Sequence, residues 1–301
     1  MKNHQDTIQR FVFENTPVRG NFVNLTQTLQ EALHQQTIPT GLKCALGELM
    51  AASALLAATL KMNGALVMQI QSKGALKLLV VECTSEAGAT LKIRATAKWR
   101  GDITDQQNLF ELLEHGQFMI TLDPKDGNQA YQGIVALEGD SISTVLENYM
   151  LRSEQIDTKI WLCCDGHSAA GMLIQKLPET MNQVTKTYGD EDVDTWNRVG
   201  HLADTVTNEE LLQLPAETLL TRLFHQEDVR LYEGRTVAYH CPEDWPKIRT
   251  MLRNLGAEEL RAILDEQGEI LVKDEICHRE YRLDAAGVEQ LLNPSSDHTL
   301  H

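Results

Sequence analysis

The chain has 301 residues, 42% of them hydrophobic, which is enough for a substantial core and suggests two units, or one domain with an appendage. Its formal net charge of −16 repels phosphate backbones and excludes general nucleic-acid binding. Six cysteines, at 44, 83, 163, 164, 241 and 277, are too sparse for a disulfide-stapled secreted fold and point to a reducing, cytoplasmic compartment. The opening MKNHQDTIQRF has no apolar stretch of signal-peptide length. The most membrane-like run, Cys44 to Leu60, carries Glu48 and falls short of the ~20 apolar residues of a span, so no membrane partner is expected.

Residues 7 to 15 read as a short first helix or turn, ahead of Pro17 and a VRG segment in which Arg19 suggests half of a buried ion pair. Leu25, Leu29, Ala32 and Leu33 predict a helix between Asn24 and His34, capped by Thr26 or Asn24. The Ala-rich stretch Leu42 to Lys61 predicts a helix buried on most sides. The period then changes to two. Leu66 to Gln71, a turn at Ser72 to Gly74, and Leu76 to Cys83 predict a hairpin, and Thr90 to Trp99 a further strand.

Leu109 to Leu113 is a short helical piece, and Phe118 to Leu122 pairs through Asp123 to Gly127 with the next strand. There Tyr131, Gly133, Val135 and Leu137 share one face while Ile134 and Ala136 are apolar on the other, so both faces are expected to be covered. Gly139 breaks the strand, Asp140 or Ser141 caps a helix, and Ile142, Val145, Leu146, Tyr149 and Met150 form its inner face. Lys159 to Cys164 and Ala169 to Leu177 close the sheet around an Asp165 to Ser168 turn; Cys44, Cys83, Cys163 and Cys164 are read as packing residues. Helices, strands, a helix and strands again make an α+β core domain of residues 1–178.

Residues 179–233 are markedly acidic yet carry apolar helical faces: Leu211, Leu212, Leu219, Leu220, Leu223 and Phe224 stand out. Thr207 to Glu210 fits a capping box, and Pro215 separates two helices. By composition this is a helical linker. Residues 234–301 form a small α+β unit: a helix from Pro246 to Gly256, another stopped at Gly268, a hairpin of Ile270 to Lys273 with Glu280 to Leu283, and a last helix through Val288 and Leu292. Trp245, Ile248, Met251, Leu252, Leu255, Leu260, Ile263, Leu264, Ile270, Val272, Ile276, Tyr281, Leu283, Val288, Leu291 and Leu292 are its core candidates. No P-loop, G-x-S-x-G or HExxH motif occurs, and a protein-binding module is favoured over an enzyme.

The wording of two stretches goes further. YQGIVALEGDSISTVLENYMLRSEQ, from Tyr131, and FVFENTPVRG, from Phe11, resemble signatures of the heat shock protein 33 family of redox-regulated holdase chaperones. The resemblance implies ATP-independent binding of unfolding client proteins, a cytoplasmic location, dimerisation on activation, and a linker that opens to expose the leucines named above. It also implies that the C-terminal unit is a zinc domain whose four thiolates come from a C-x-C and a C-x-x-C pair. Oxidation in the family joins each pair, releases the metal and unfolds the linker.

Here the chain departs from the pattern. The first pair reads Cys241-Pro242-Glu243 and the second Asp274-Glu275-Ile276-Cys277, so one cysteine of each remains, with 35 residues between them. Three readings stay open. Zinc persists on both thiolates with Glu243 and Asp274, or with His240 and His278. Alternatively, Cys241 and Cys277 join in one disulfide across the old site. In the third, the site is vestigial and apolar packing holds the unit, so that redox control is lost or weakened and no cofactor is needed. A thiol- or metal-dependent enzyme using Cys241 and Cys277 is the alternative function.

Overall fold

The computed structural model describes residues 6–34, 37–60, 63–85, 90–104, 109–125, 129–178 and 190–292. Residues 179–189 of the expected linker, Lys61, Asp126 and Gly127 of the expected turn, and the terminus from 293 lie outside this set. Two compact units emerge, Met1–His240 and Cys241–His301.

The first unit opens with strands β1 (Thr7–Phe13) and β2 (Val18–Leu25), then helices α1 (Gln27–His34) and α2 (Thr40–Leu60). Strands β3 (Gly64–Gln71), β4 (Leu76–Ser85) and β5 (Leu91–Trp99) follow, a 3-10 turn spans Phe110–Leu112, and β6 (Gln117–Pro124) and β7 (Tyr131–Val135) come next. After α3 (Ile142–Arg152), β8 (Thr158–Cys164) and β9 (Ala169–Lys176), the helices α4 (Asp190–Ala203), α5 (Asn208–Gln213) and α6 (Ala216–Leu223) lead to β10 (Val229–Leu231) and β11 (Arg235–Tyr239). The strands join in the order β7-β6-β3-β4-β5-β11-β1-β2-β9-β8, with β10 also paired to β1. β11 runs parallel to β5 and antiparallel to β1, so a strand from beyond the linker helices closes the gap between two antiparallel halves.

Helix α2 is the centre of the main core. Leu42, Leu46, Leu49, Met50 and Leu55 are fully buried against inward residues of both halves of the sheet, including Val23, Leu66, Met68, Val81 and Ile93. Its 21 residues are long and apolar enough to cross a membrane by composition, but here they fill a protein interior. Its polar side chains are satisfied locally: Ser53 Oγ donates to the Met50 carbonyl, and Thr59 Oγ1 donates to Leu55 and accepts from Asn21 Nδ2.

Several sequence expectations are corrected. Residues 7–13 are a strand, not a helix or turn; Phe11 and Phe13 alternate with Val12 at period two and pair with β2 and β10. Thr26 holds the cap position of α1, its carbonyl accepting from the Gln30 N–H, but neither its side chain nor that of Asn24 caps the free N–H groups. Asp6, distant in sequence, accepts from the backbone N–H groups of Thr26, Gln27 and Thr28 at 2.9, 3.3 and 2.6 Å. Arg19 donates from Nε and Nη2 to Gln175 Oε1, an amide rather than a carboxylate. Strand β7 is an edge strand whose faces are not both covered: Ile134 on one face is 70% exposed, and on the other Tyr131 is 51% exposed while Val135 is buried.

Both signature stretches have local reasons. In FVFENTPVRG the hairpin turns through Asn15 at φ 57°, with Thr16 Oγ1 donating to the Phe13 carbonyl. Gly20 lies opposite Phe11, where a Cβ would sit 2.1 Å from the Phe11 ring and 2.7 Å from the Leu173 carbonyl oxygen. In the second stretch Gly139 turns the chain at φ 133° and Ser141 caps α3 by accepting from the Thr144 N–H. Arg152 pairs with Glu138 at 2.6 Å, and Glu147 accepts from the Ile160 N–H of β8 at 2.7 Å. The stretch thus ties β7, α3 and β8 together.

The second unit contains α7 (Trp245–Leu255), α8 (Ala257–Gln267), β12 (Ile270–Lys273), β13 (Glu280–Leu283) and α9 (Ala285–Leu292). β12 and β13 form a hairpin, and Leu252, Leu260, Ile270, Leu283, Val288 and Leu291 a small core. Met251 and Leu255, expected inside, are 42% and 50% exposed because they lie on the outer face of α7. Residues 235–239, expected in this unit, are instead β11 of the large sheet.

Candidate functional site

Two groups of residues bear on function, one in each unit. In the first unit, α4, α5 and α6 cover the face of the β1, β2, β8 and β9 half that α2 leaves open. A second core forms there, in which Phe11, Phe13, Val18, Phe22, Met172 and Ile174 of the sheet meet Val199, Leu211, Leu219, Leu220, Leu223 and Phe224 of the helices. Phe224 packs edge-on to Phe13 with centroids 4.9 Å apart, and Phe13 edge-on to Phe11 at 5.9 Å. Of the six linker residues singled out in the sequence, five are buried and Leu212 is partly buried. The aromatic sheet face beneath them was missed; the Phe11 and Phe13 alternation was its signal.

This second core is held in place by few polar ties, and most are at its rim. The capping box is formed: Thr207 Oγ1 accepts from the Glu210 N–H, and Glu210 accepts from the Thr207 N–H at 3.1 Å. Asn24 Nδ2 donates to the Leu212 carbonyl, and the Cys163 thiol contacts the Asn208 carbonyl at 3.7 Å. Lys159 pairs with Asp204 at 2.8 Å and Arg230 with Glu14 at 2.5 Å. These pairs are exposed or partly so, where a pair contributes ~0–1 kcal/mol. The apolar contact therefore dominates. Burying a large side chain contributes ~1.5–3 kcal/mol gross, and the contact involves several on each side.

In the second unit, Cys241 and Cys277 are joined as a disulfide with Cα atoms 5.9 Å apart, within the usual span of such bonds. Cys277 is buried, in the loop between β12 and β13. Asp274 shapes that loop: its Oδ1 accepts from the N–H groups of Ile276 and Cys277 at 2.8 and 2.7 Å. Arg279 Nη2 donates to the Cys241 carbonyl at 3.2 Å, and His278 adopts φ 57°. Glu243 accepts from Trp245 Nε1 at 3.0 Å and lies 3.9 Å from the Arg279 guanidinium. Trp245 packs edge-on to buried Tyr281, whose hydroxyl accepts from the Asp244 N–H.

In this arrangement Cys241, Cys277, Glu243 and Asp274 do not converge on one point as a tetrahedral zinc centre requires. The two sulfurs bond each other, Glu243 points to an indole and a guanidinium, and Asp274 is spent on its own loop. Among the described residues no group of three or more His, Cys, Asp or Glu side chains is placed to hold a metal. His240 falls in the first unit, where its N–H donates to the Ile93 carbonyl.

Comparison with known proteins matches this architecture. The sequence profile of the family described as Hsp33 protein matches residues 6–284. The "33 kDa chaperonin" of Methylobacillus flagellatus is 52% identical over 287 residues, covering 95% of this chain and 94% of the relative. The protein of the same name from Chromobacterium violaceum is 45% identical over 292 residues, covering 97% and 95%. The crystal structure of the 33 kDa chaperonin (heat shock protein 33 homolog) of Thermotoga maritima superposes with a TM-score of 0.78 over 98% of this chain and 100% of that one; at 18% identity it speaks for the fold alone. The chain belongs to the Hsp33 family.

Proposed function

We propose that this chain is an ATP-independent holdase chaperone of the cytoplasm, which binds unfolding proteins when α4 to α6 lift from the sheet. One observation carries the reading. The linker helices and the sheet face beneath them are two apolar surfaces that cover each other at rest. Lifting the helices exposes both, with Phe11, Phe13, Phe22 and Met172 on one side and Leu211, Leu219, Leu220 and Phe224 on the other. Contiguous apolar surface of that kind adheres to unfolded chains. The main core around α2 is a separate cluster and supports a scaffold that persists when the linker opens. The functional division into residues 1–178, 179–233 and 234–301 rests on this reading, although the linker helices pack within the first compact unit.

Redox control by the C-terminal unit is weakened in this reading. The folded unit accommodates the closed Cys241–Cys277 pair, so oxidation need not unfold it, and a hydrophobic core of its own supports the unit. Heat, or any stress that loosens the linker contact, is then the activating signal. The enzyme alternative gains no support: Cys277 is buried, and the neighbouring acids Glu243 and Asp274 are engaged elsewhere. Exposed helices that seek apolar partners also favour a homodimer on activation. Nucleic acid and membrane are not proposed partners.

Light scattering of a heat-unfolding client tests the proposal. Substoichiometric to stoichiometric protein should suppress aggregation without nucleotide, in reductant and at elevated temperature. Absence of suppression in reduced, oxidised and heated samples alike would overturn it.

A further inference from the structure

Four cysteines lie outside the C-terminal pair, and they divide sharply by environment. Cys83 is fully buried in β4, and burial pushes its thiol up to about 12. Cys163 is buried under the linker helices, and burial with nearby Glu48 pushes it up to about 12 as well. Cys44 and Cys164 are both partly exposed, and the Cys164 sulfur at the end of β8 lies against the first turns of α2, which carry Cys44. Neighbouring strand residues point to opposite faces, so Cys163 faces the linker helices while Cys164 faces α2.

The seat of Cys164 is made by a glycine. Gly47, one turn beyond Cys44 on α2, leaves open a position where a Cβ would sit 2.6 Å from the Cys164 sulfur and 3.2 Å from its Cβ. The sulfur is further held by the Gly166 N–H at 3.3 Å and lies 3.9 Å from the Lys43 carbonyl oxygen. We propose that Cys44 and Cys164 are a second redox dithiol, in the chaperone core rather than the C-terminal unit, which peroxide closes into a disulfide linking α2 to β8. The site is independent of whether Cys241 and Cys277 act as a switch.

The chemistry balances with peroxide as oxidant. The Cys44 thiolate attacks the O–O bond; an S–O bond forms, and the departing hydroxide takes up a proton as water. Cys164 then attacks the resulting sulfenic sulfur; the S–S bond forms, the S–O bond breaks, and hydroxide leaves with the Cys164 proton as a second water. Two thiols lose two electrons and two protons, and peroxide becomes two waters. The roles are assigned by environment. The neighbouring Cys164 thiol, helped by Lys43, brings Cys44 down to about 7 against the opposing effects of burial and Asp165, while the Cys44 side chain and burial push Cys164 up. Glu48, one turn along α2, is the other ionisable group beside the pair.

The test uses the full reduced chain, exposed to an equivalent of hydrogen peroxide near pH 7.5, alkylated, digested without reductant and mapped by mass spectrometry. A peptide joining Cys44 to Cys164 is expected, with Cys83 and Cys163 recovered as thiols. In Cys164→Ser the crosslink should vanish and dimedone should label Cys44 instead. In unoxidised protein at pH 7, Cys44 should alkylate at least ~100-fold faster than Cys83 or Cys163, as its thiolate fraction dictates. Recovery of Cys44 and Cys164 as free thiols while Cys241 and Cys277 have joined would overturn the proposal. So would oxidation of Cys44 to sulfinic acid with no crosslink. The crosslink map of the unsubstituted chain decides the matter even where a variant fails to fold.

Discussion

Replacing Leu219 by alanine probes the linker contact most directly. Leu219 is fully buried in the second core, between α6 and the aromatic face of β1 and β2, and takes no part in the main core around α2. A Leu→Ala change at such a site costs ~2–5 kcal/mol, the transfer term plus the cavity left behind. A central cost of ~3 kcal/mol raises the population of the lifted linker on the order of 100-fold, at 1.4 kcal/mol per tenfold. Native-state hydrogen exchange should report this as faster exchange of amides in α5 and α6, with the β2–β9 ladder unchanged. Suppression of client aggregation should rise in the same proportion at temperatures where the unsubstituted protein is nearly inactive. Leu151→Ala, at a side chain 53% exposed on α3, is the control and should do neither. Uniformly faster exchange across the whole first unit, or unchanged chaperone activity despite faster linker exchange, would refute the reasoning.

Other outcomes follow from particular residues. Burial, with Cys44 nearby, raises the Glu48 carboxyl to about 7, so the folded state holds its proton more tightly than the unfolded state. The stability this gives is full below the ordinary carboxylate value and is lost as pH rises towards 7, by up to about 3 kcal/mol; Glu48→Gln should flatten the change in denaturation midpoint between pH 5 and 7. Cys241→Ser with Cys277→Ser should leave chaperone activity largely unchanged, and metal analysis of the purified protein should find less than one zinc per chain. One zinc per chain, or activity that needs both thiols, would show that the switch survives. In oxidised protein the same double variant should lower the stability of the C-terminal unit by ~3–4 kcal/mol, the loop-closure value for a separation of 36, with no difference in reductant. Sedimentation should find monomer at rest and a concentration-dependent dimer after heating; monomer throughout, with activity intact, would sever assembly from activation.

How the sequence relates to the structure can be traced through single elements. Helix α2 was legible because its run of alanines and leucines has no polar face, and such a helix has to be enclosed. The hairpin of β3 and β4 was legible from its alternation, and so were the capping box at Thr207, the Pro246 start of α7 and the Gly268 stop of α8, because each depends on neighbours in the chain. Strand β1 was misread because seven residues containing two phenylalanines satisfy a helical turn as well as a strand, and only pairing with β2 and β10 decides between them.

What the sequence by itself determined is local: the periods, caps and turns, the leucines of the linker, and the loss of one cysteine from each C-terminal pair. What the tertiary structure alone decided is which surfaces meet. The linker leucines face an aromatic sheet, β11 enters the large sheet instead of the C-terminal unit, and Asp6 caps a helix some twenty residues away. The structure likewise joins Cys241 to Cys277 and seats the Cys164 sulfur in the niche left by Gly47, one turn of α2 from Cys44. The physical reason is common to all of these. Period and capping are fixed by bonds and contacts within a few residues, whereas a contact between segments far apart in the chain depends on the tertiary arrangement that brings them together.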